Sequence, residues 1–254
     1  MDGARYSDGK LLRYRHNDPS HLELILKKLP LHARKLVITD SIFSMSGKPA
    51  DIPAISAICK KYGAILMVDE CHSMFILGKT GGGIVEYFNL NPDDIDIVMA
   101  TLSKAIPASG GYIASSRKII NYLKHESRGF IYSIALPTLM CKVAKEGINI
   151  FKSERAELAR KLAENTRYFS EILRADGIDI GESVTPIVPI LIGDSNKAAL
   201  AARKCQDNGL FIHAVFAPVV PQGQAILRAS ITAAHKKADL FMAARKIGMI
   251  VRNL

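Results

Sequence analysis

Two stretches, AILMVDECHS (64–73) and IDIVMATLSK (95–104), decide how this 254-residue sequence is read. The first is a continuous apolar run ending on acids, the pattern of a parallel strand covered on both faces. The second carries Ile95, Ile97, Val98, Met99 and Ala100 and ends on Thr101, Ser103 and Lys104. Lysine is usually a surface residue, so Lys104 marks either a solvated strand end or an amine held in a pocket. Working outward, LVITDSIFSM (36–45) reads as a strand running into a loop, and GGYIASS (110–116) as a further strand. Between them IPAISAICKKYG (52–63) reads as a helix, with Pro53 in its first turn and Gly63 closing it. This alternation of strand and helix predicts an α/β layer with parallel pairing.

From about residue 138 the texture changes. A long, charged and periodic segment predicts one helix reaching Gly177. Strand-like TPIVPILIG (185–193), LFIHAVFAP (210–218) and ILRASITA (226–233) follow, with helices SNKAALAARKCQDNG and KKADLFMAARKIGMIV. Two domains are expected, a larger α/β part at 1–150 and a smaller α+β part at 151–254.

Composition narrows the function classes. Hydrophobic residues make up 48% and charged residues 23%, which fits a globular chain and excludes a disordered one. No apolar run is long enough to span a bilayer, and the N-terminus has no apolar core of signal-peptide type. The cysteines, Cys59, Cys71, Cys141 and Cys205, are widely spaced, which suits a reducing cytoplasm rather than a disulfide framework or a metal site. The net charge of +10 is spread along the chain without any nucleic-acid-binding motif, so anionic small molecules are the expected partners, not nucleic acid.

Ligands of open α/β sheets bind beyond the carboxyl ends of the strands. Three such ends offer Asp40 and Ser44, then Asp69 and His72, then Thr101, Ser103 and Lys104. An acid, an imidazole, hydroxyls and an amine on one rim would suit pyridoxal 5′-phosphate (PLP), which has an aldehyde, a basic ring nitrogen and a phosphate. Singly, each residue has a plainer reading: Asp69-Glu70 as a helix cap or solvated acids, His72 as a satisfied polar residue, Lys104 as surface.

On DGARYS (2–7), RYRHND (13–18), DSIFSMSG (40–47), YGAILMVDECHSMFILGKTGGG (62–83), TLSKA (101–105), GGYIA (110–114), SIALP (133–137) and ILRASITAAH (226–235), the sequence resembles the α-oxoamine synthases. These are PLP-dependent transferases of fold type I. The resemblance implies a mostly parallel sheet in the large domain, a small C-terminal domain and a homodimer. It makes Lys104 the Schiff-base lysine, sets Asp69 against the pyridine nitrogen and His72 against the phenolic oxygen, and puts Ser44 near the ring edge. Thr101 and Ser133 would lie at the phosphate. Arg228 would hold the substrate carboxylate, for which a guanidinium fork is better suited than an ammonium; its plainer reading is an interdomain salt bridge. The implied reaction condenses a small amino acid with an acyl-CoA or acyl-carrier thioester, usually with loss of CO2, to an α-amino ketone. An ordinary aminotransferase and a non-catalytic, partner-dependent member are the alternatives.

The pattern departs from the family in places. The glycine-rich turn and ring-stacking residue that precede a DGARYS-like segment are not in this sequence, so the large domain is expected to be incomplete and PLP binding weak. Phe75 and Gly82 stand where Gly and Arg are common, so the loop after His72 is expected to be differently shaped. Ile134 occupies a position that is commonly a hydroxyl residue reaching the partner subunit's phosphate, with Ser133 as the neighbouring candidate.

Overall fold

The computed structural model describes residues 2–254. A short helix α1 (Asp2–Arg5) and helix α2 (Pro19–Lys27) precede strand β1 (Leu36–Asp40). Helix α3 (Ile52–Lys61) leads to β2 (Ile65–Asp69), and α4 (Gly83–Tyr87) to β3 (Ile97–Thr101) and β4 (Gly111–Ser115). Asp18 and Asp51 start α2 and α3 by accepting from the N–H groups of His21 and Ala54, and a proline opens each helix. The sheet order is β1-β2-β3-β4, with the first three strands parallel. β4 returns antiparallel to β3 from a turn at Gly110, where parallel pairing was expected. The connection from Thr101 to Gly111 carries no crossover helix, and only an antiparallel return can be made without one.

The alternation along β1 and β2 places Val37, Thr39, Leu66 and Val68 inward. There they meet Leu22 and Leu26 of α2 and Ile52, Ile55 and Cys59 of α3. On the opposite face Leu36, Ile38 and Ile65 remain exposed. The coverage of both faces that the apolar run suggested is therefore not found among the described residues: α2 and α3 pack on one side of this sheet.

Helices α5 (Arg117–Glu126) and α6 (Arg128–Ile131) connect to α7 (Thr138–Ala175), which begins after Pro137 and ends two residues before Gly177, close to where the sequence predicts. α7 is solvent-exposed along most of its middle and buries Phe169, Ser170 and Leu173 near its end. There it joins a second core made with β5 (Ile187–Gly193), α8 (Ser195–Asp207), β6 (His213–Val215), β7 (Ala225–Ser230) and α9 (Lys237–Arg252). These strands form an antiparallel sheet in the order β5-β7-β6. Phe169, Leu173, Ile190, Leu227 and Ala244 are almost wholly buried in it, and the larger of these side chains contribute roughly 2–3 kcal/mol each by burial.

The two cores meet at the turn that follows β1. Gly47 there has φ +65°, and its carbonyl accepts hydrogen bonds from the hydroxyls of Thr185 (3.2 Å) and Ser183 (3.4 Å). Lys48 pairs with Glu182 at 2.6 Å beside it. A Cβ on Gly47 would lie 2.1 Å from Ser183 Oγ and 2.7 Å from the Ile187 carbonyl. Gly47→Ala combines a left-handed backbone with a clash against main chain, so it is expected to lower stability by about 2–4 kcal/mol. A urea unfolding midpoint within experimental error of the parent would contradict this reading of the turn.

Candidate functional site

The parallel register sets Asp40 beside Asp69 at the carboxyl ends of β1 and β2, with Met99 of β3 next in the row. Thr101 ends β3 two residues further on. Side chains alternate along a strand, so Asp69 faces the open side of the sheet while Glu70 turns under it.

The loop after β2 folds back on that buried glutamate. Ser73 and Met74 N–H groups bond the Glu70 carbonyl (3.1 Å each), and Glu70 N–H bonds the Met99 carbonyl at 2.7 Å. This brings His72 over the rim, where its Nε2 lies 2.9 Å from Lys104 Nζ. Burial first, then the charges of Lys104 and Arg228, push the His72 pKa down to about 4. The ring is therefore neutral at pH 7 and can accept a hydrogen bond from the lysine amine. Asp69 Oδ1 accepts from Cys71 N–H at 2.8 Å, which orients the carboxyl group. Thr101 Oγ1 contacts Ser103 Oγ at 2.8 Å and donates to the Gly110 carbonyl at 3.2 Å.

Arg228 reaches this rim from β7. Its Nε donates to the Ser44 carbonyl at 2.7 Å and Nη1 to Ser230 Oγ at 2.8 Å. Nη2 has no hydrogen-bond partner, and no carboxylate pairs with Arg228, among the described residues. The interdomain salt bridge weighed from the sequence is thus replaced by a bond to main chain. Burial holds the guanidinium below its ordinary pKa, while its basicity keeps it charged.

The structure brings Asp69, His72, Lys104, Ser44, Thr101 and Arg228 to one rim or its border. Among the described residues no hydrogen bond links Ser133 to these side chains. That residue is exposed between α6 and α7, and its one described hydrogen bond is to the Phe130 carbonyl, at 3.5 Å. Lys104 is itself exposed, on the loop after β3. Sequence reasoning missed Glu70, Ser41 and Ser73, all almost wholly buried under the rim. The alternation that sends Asp69 outward was the signal for Glu70. The serines carried no signal, because their role is set by contact across the sheet. Phe75 adopts φ +65°, the left-handed region that glycine favours, and its ring packs edge-on against Phe151 at 4.5 Å. The loop after His72 is thus held by a left-handed residue and an aromatic contact to α7.

A mostly parallel sheet, a small antiparallel C-terminal sheet and a lysine at the strand ends define the α/β fold of type I PLP-dependent transferases. The chain belongs to the aminotransferase class I and II family, which matches residues 1–247, and its relatives place it on the α-oxoamine synthase side of that family. It is 41% identical over 255 residues to the 8-amino-7-oxononanoate synthase of Thermoanaerobacter pseudethanolicus, an alignment covering 100% of this chain and 64% of the relative. It is 34% identical to the serine palmitoyltransferase of Sphingobacterium spiritivorum, across 100% of this chain and 63% of that protein. An SPT structure solved with PLP superposes with a TM-score of 0.94 at 30% identity, covering 99% of this chain and 63% of its own. The chain thus spans just under two thirds of the length of these relatives.

The depressed His72 pKa has a consequence for stability. Between its ordinary value of 6.5 and about 4 the unfolded chain binds a proton that the folded chain refuses. Stability is therefore expected to fall as pH drops through this window, by about 1–3 kcal/mol, with no further loss from this group below it. His72→Gln is expected to remove that part of the slope in urea titrations run at stepped pH. An unchanged slope would show that His72 is not the titrating group.

Proposed function

We propose that the chain carries the acceptor half of a PLP-dependent condensation between a small amino acid and an acyl-CoA or acyl-carrier thioester. The products would be an α-amino ketone, the free thiol and, for a decarboxylating member, CO2. The observation that carries this reading is Arg228, a half-buried cation with no acid partner among the described residues, beside the Lys104–His72 pair. A cation left without a counter-ion at such a rim is an anion site, and a guanidinium recognises a carboxylate with two parallel hydrogen bonds.

The residues present fit PLP in part. Lys104 is an amine paired to a neutral imidazole rather than to a carboxylate, as Schiff-base chemistry requires, and Asp69 supplies the acid of the donor set. Lys104 would hold the cofactor covalently, Asp69 would face its ring nitrogen, His72 its phenolic oxygen and Thr101 its phosphate. Ser44 would sit at the ring edge, and Ser133 would reach a phosphate only across a dimer. PLP, when bound, supplies the electron sink for a carbanion at the amino acid's α-carbon. The chain's own residues do the rest. Arg228 anchors the substrate carboxylate through Nη2 and holds the Ser44 turn in place through Nε. Lys104 Nζ, once the amino acid's own amine has taken its place, would take the α-proton, and neutral His72 would accept a hydrogen bond from it through the 2.9 Å contact. A second copy of the chain is the proposed partner, meeting the exposed Tyr132, Ile134 and Leu139 that flank Ser133. The free cysteines, two of them buried, are consistent with a cytoplasmic setting.

Incubation with PLP followed by borohydride is expected to fix PLP weakly, at less than one per chain, with residue 104 as the site read by peptide mass, and Lys104→Ala is expected to fix none. With glycine, alanine or serine, thioester-dependent CO2 release supports the condensation. Amination of a 2-oxo acid without a thioester requirement would instead make the chain an aminotransferase, and fixation of PLP with neither reaction would make it a non-catalytic member. Where turnover is seen, Arg228→Lys is expected to raise the KM for the amino acid by roughly 10–100-fold, leaving PLP fixation intact.

A further inference from the structure

Under the rim lies a closed chain of oxygen contacts that the reaction does not use. Glu70 Oε2 is 2.7 Å from Ser73 Oγ, Ser73 Oγ is 2.7 Å from Ser41 Oγ, and Ser41 Oγ is 2.7 Å from the Asp69 carbonyl oxygen. Two oxygens approach this closely only with a hydrogen between them. Three contacts therefore need three protons, and two serine hydroxyls supply two. The Asp69 carbonyl has no proton to give, so the third must stand on Glu70.

We propose that Glu70 is a neutral carboxylic acid in the folded protein and a positioning residue for the rim. It donates to Ser73, which donates to Ser41, which donates to the carbonyl of Asp69. The acid oxygen keeps a lone pair for the Ile84 N–H at 2.8 Å, and a Cβ on Gly83 would stand 2.0 Å from it, which is why the chain passes as glycine there. The surroundings agree. Glu70, Ser41 and Ser73 are 1%, 0% and 0% exposed, and no lysine, arginine or histidine pairs with Glu70 among the described residues. An ionised carboxylate in such a place would be stranded without a counter-charge. The titratable groups around it are Tyr112 of β4 and Cys71 of the loop, both pushed up by burial and both uncharged at neutral pH, with Asp69 turned to the other face. Burial is the largest influence on the Glu70 pKa and raises it, against the opposing pull of the Ile84 N–H.

The chain of donors ties the exit of β1, the end of β2 and the loop carrying His72 into one unit. Glu70 stands next to Asp69 and two residues before His72, so it fixes both without touching a ligand. The protonation rests on proton counting alone. The positioning of a catalytic rim rests also on the functional reading above.

The test uses the 254-residue chain without cofactor. Difference infrared spectra of the parent against Glu70→Gln at neutral pH are expected to show one protonated-acid carbonyl band belonging to Glu70. Its absence, with a carboxylate band in its place, would overturn the proposal. Glu70→Gln with its amide N–H toward Ser73 keeps the donor chain but leaves the Ile84 N–H without its acceptor, since both contacts fall on one oxygen; it is expected to lower the thermal midpoint while keeping the low His72 pKa, followed by imidazole NMR. Ser73→Ala leaves the Glu70 side chain in place but cuts the chain at its first link; it is expected to move the His72 pKa from about 4 upward toward 6.5. A His72 titration unmoved by Ser73→Ala would refute the positioning role and leave the neutral acid standing. Because the folded pKa of Glu70 is raised, its contribution to stability is complete below the ordinary glutamate pKa and is lost as pH rises through the folded value. Glu70→Gln is expected to flatten that loss, and a slope unchanged by the substitution would count against the neutral acid. Failure of PLP fixation at Lys104 would affect the functional reading and none of these outcomes.

Discussion

The parallel register of β1, β2 and β3 is the constraint on which the site depends. Parallel strands run the same way, so their carboxyl ends emerge along one edge, and every loop leaving that edge begins beside its neighbour. Here the row Asp40, Asp69 and Met99 is that edge. The loops that follow carry Ser44, His72 and Lys104, residues far apart in the sequence and adjacent in space. A slip of one residue in the β1–β2 pairing would turn Asp69 into the core and Glu70 onto the rim, which the apolar packing of Val37, Leu66 and Val68 opposes.

The second constraint is the docking of the small antiparallel sheet on the turn after β1. Gly47, Thr185 and Ser183 make the contact, and Arg228 extends it by bonding the Ser44 carbonyl. The arginine that would anchor a carboxylate thus also fixes the turn bearing Ser44. A guanidinium can do both because it has five donors in a rigid fork, whereas the small ammonium of lysine would have to choose.

Protonation is divided across the two faces of the sheet. On the rim a neutral imidazole meets an amine, and an arginine stands without an acid among the described residues. Beneath it a carboxyl group is enclosed with serines and main chain. Burial is the first cause in both cases and favours the uncharged form of each, so the imidazole pKa falls and the carboxyl pKa rises. The ion pairs among the described residues lie away from the rim, for example along the exposed middle of α7, where Arg160 binds Glu157 and Glu164. Such pairs contribute little to stability and leave the rim's charges to an incoming ligand.

Much of this was legible in the sequence. The apolar runs and their caps give β1, α3, β2, β3, α7, β5, α8, β7 and α9, because local periodicity and Pro/Gly punctuation fix them. The order of motifs around Asp69, His72 and Lys104 gives the family. The antiparallel return of β4 and the exposed face of Leu36, Ile38 and Ile65 were not legible, because pairing direction and coverage depend on contacts between segments, not on composition within one. The same holds for Glu70, which reads as a solvated acid until the strand's alternation is set against a real core. The sequence by itself determined which chemical groups this protein carries and the elements that hold them. Only the tertiary structure decided which face each group meets, and so which are charged, because burial is a property of the packed chain and not of the residue.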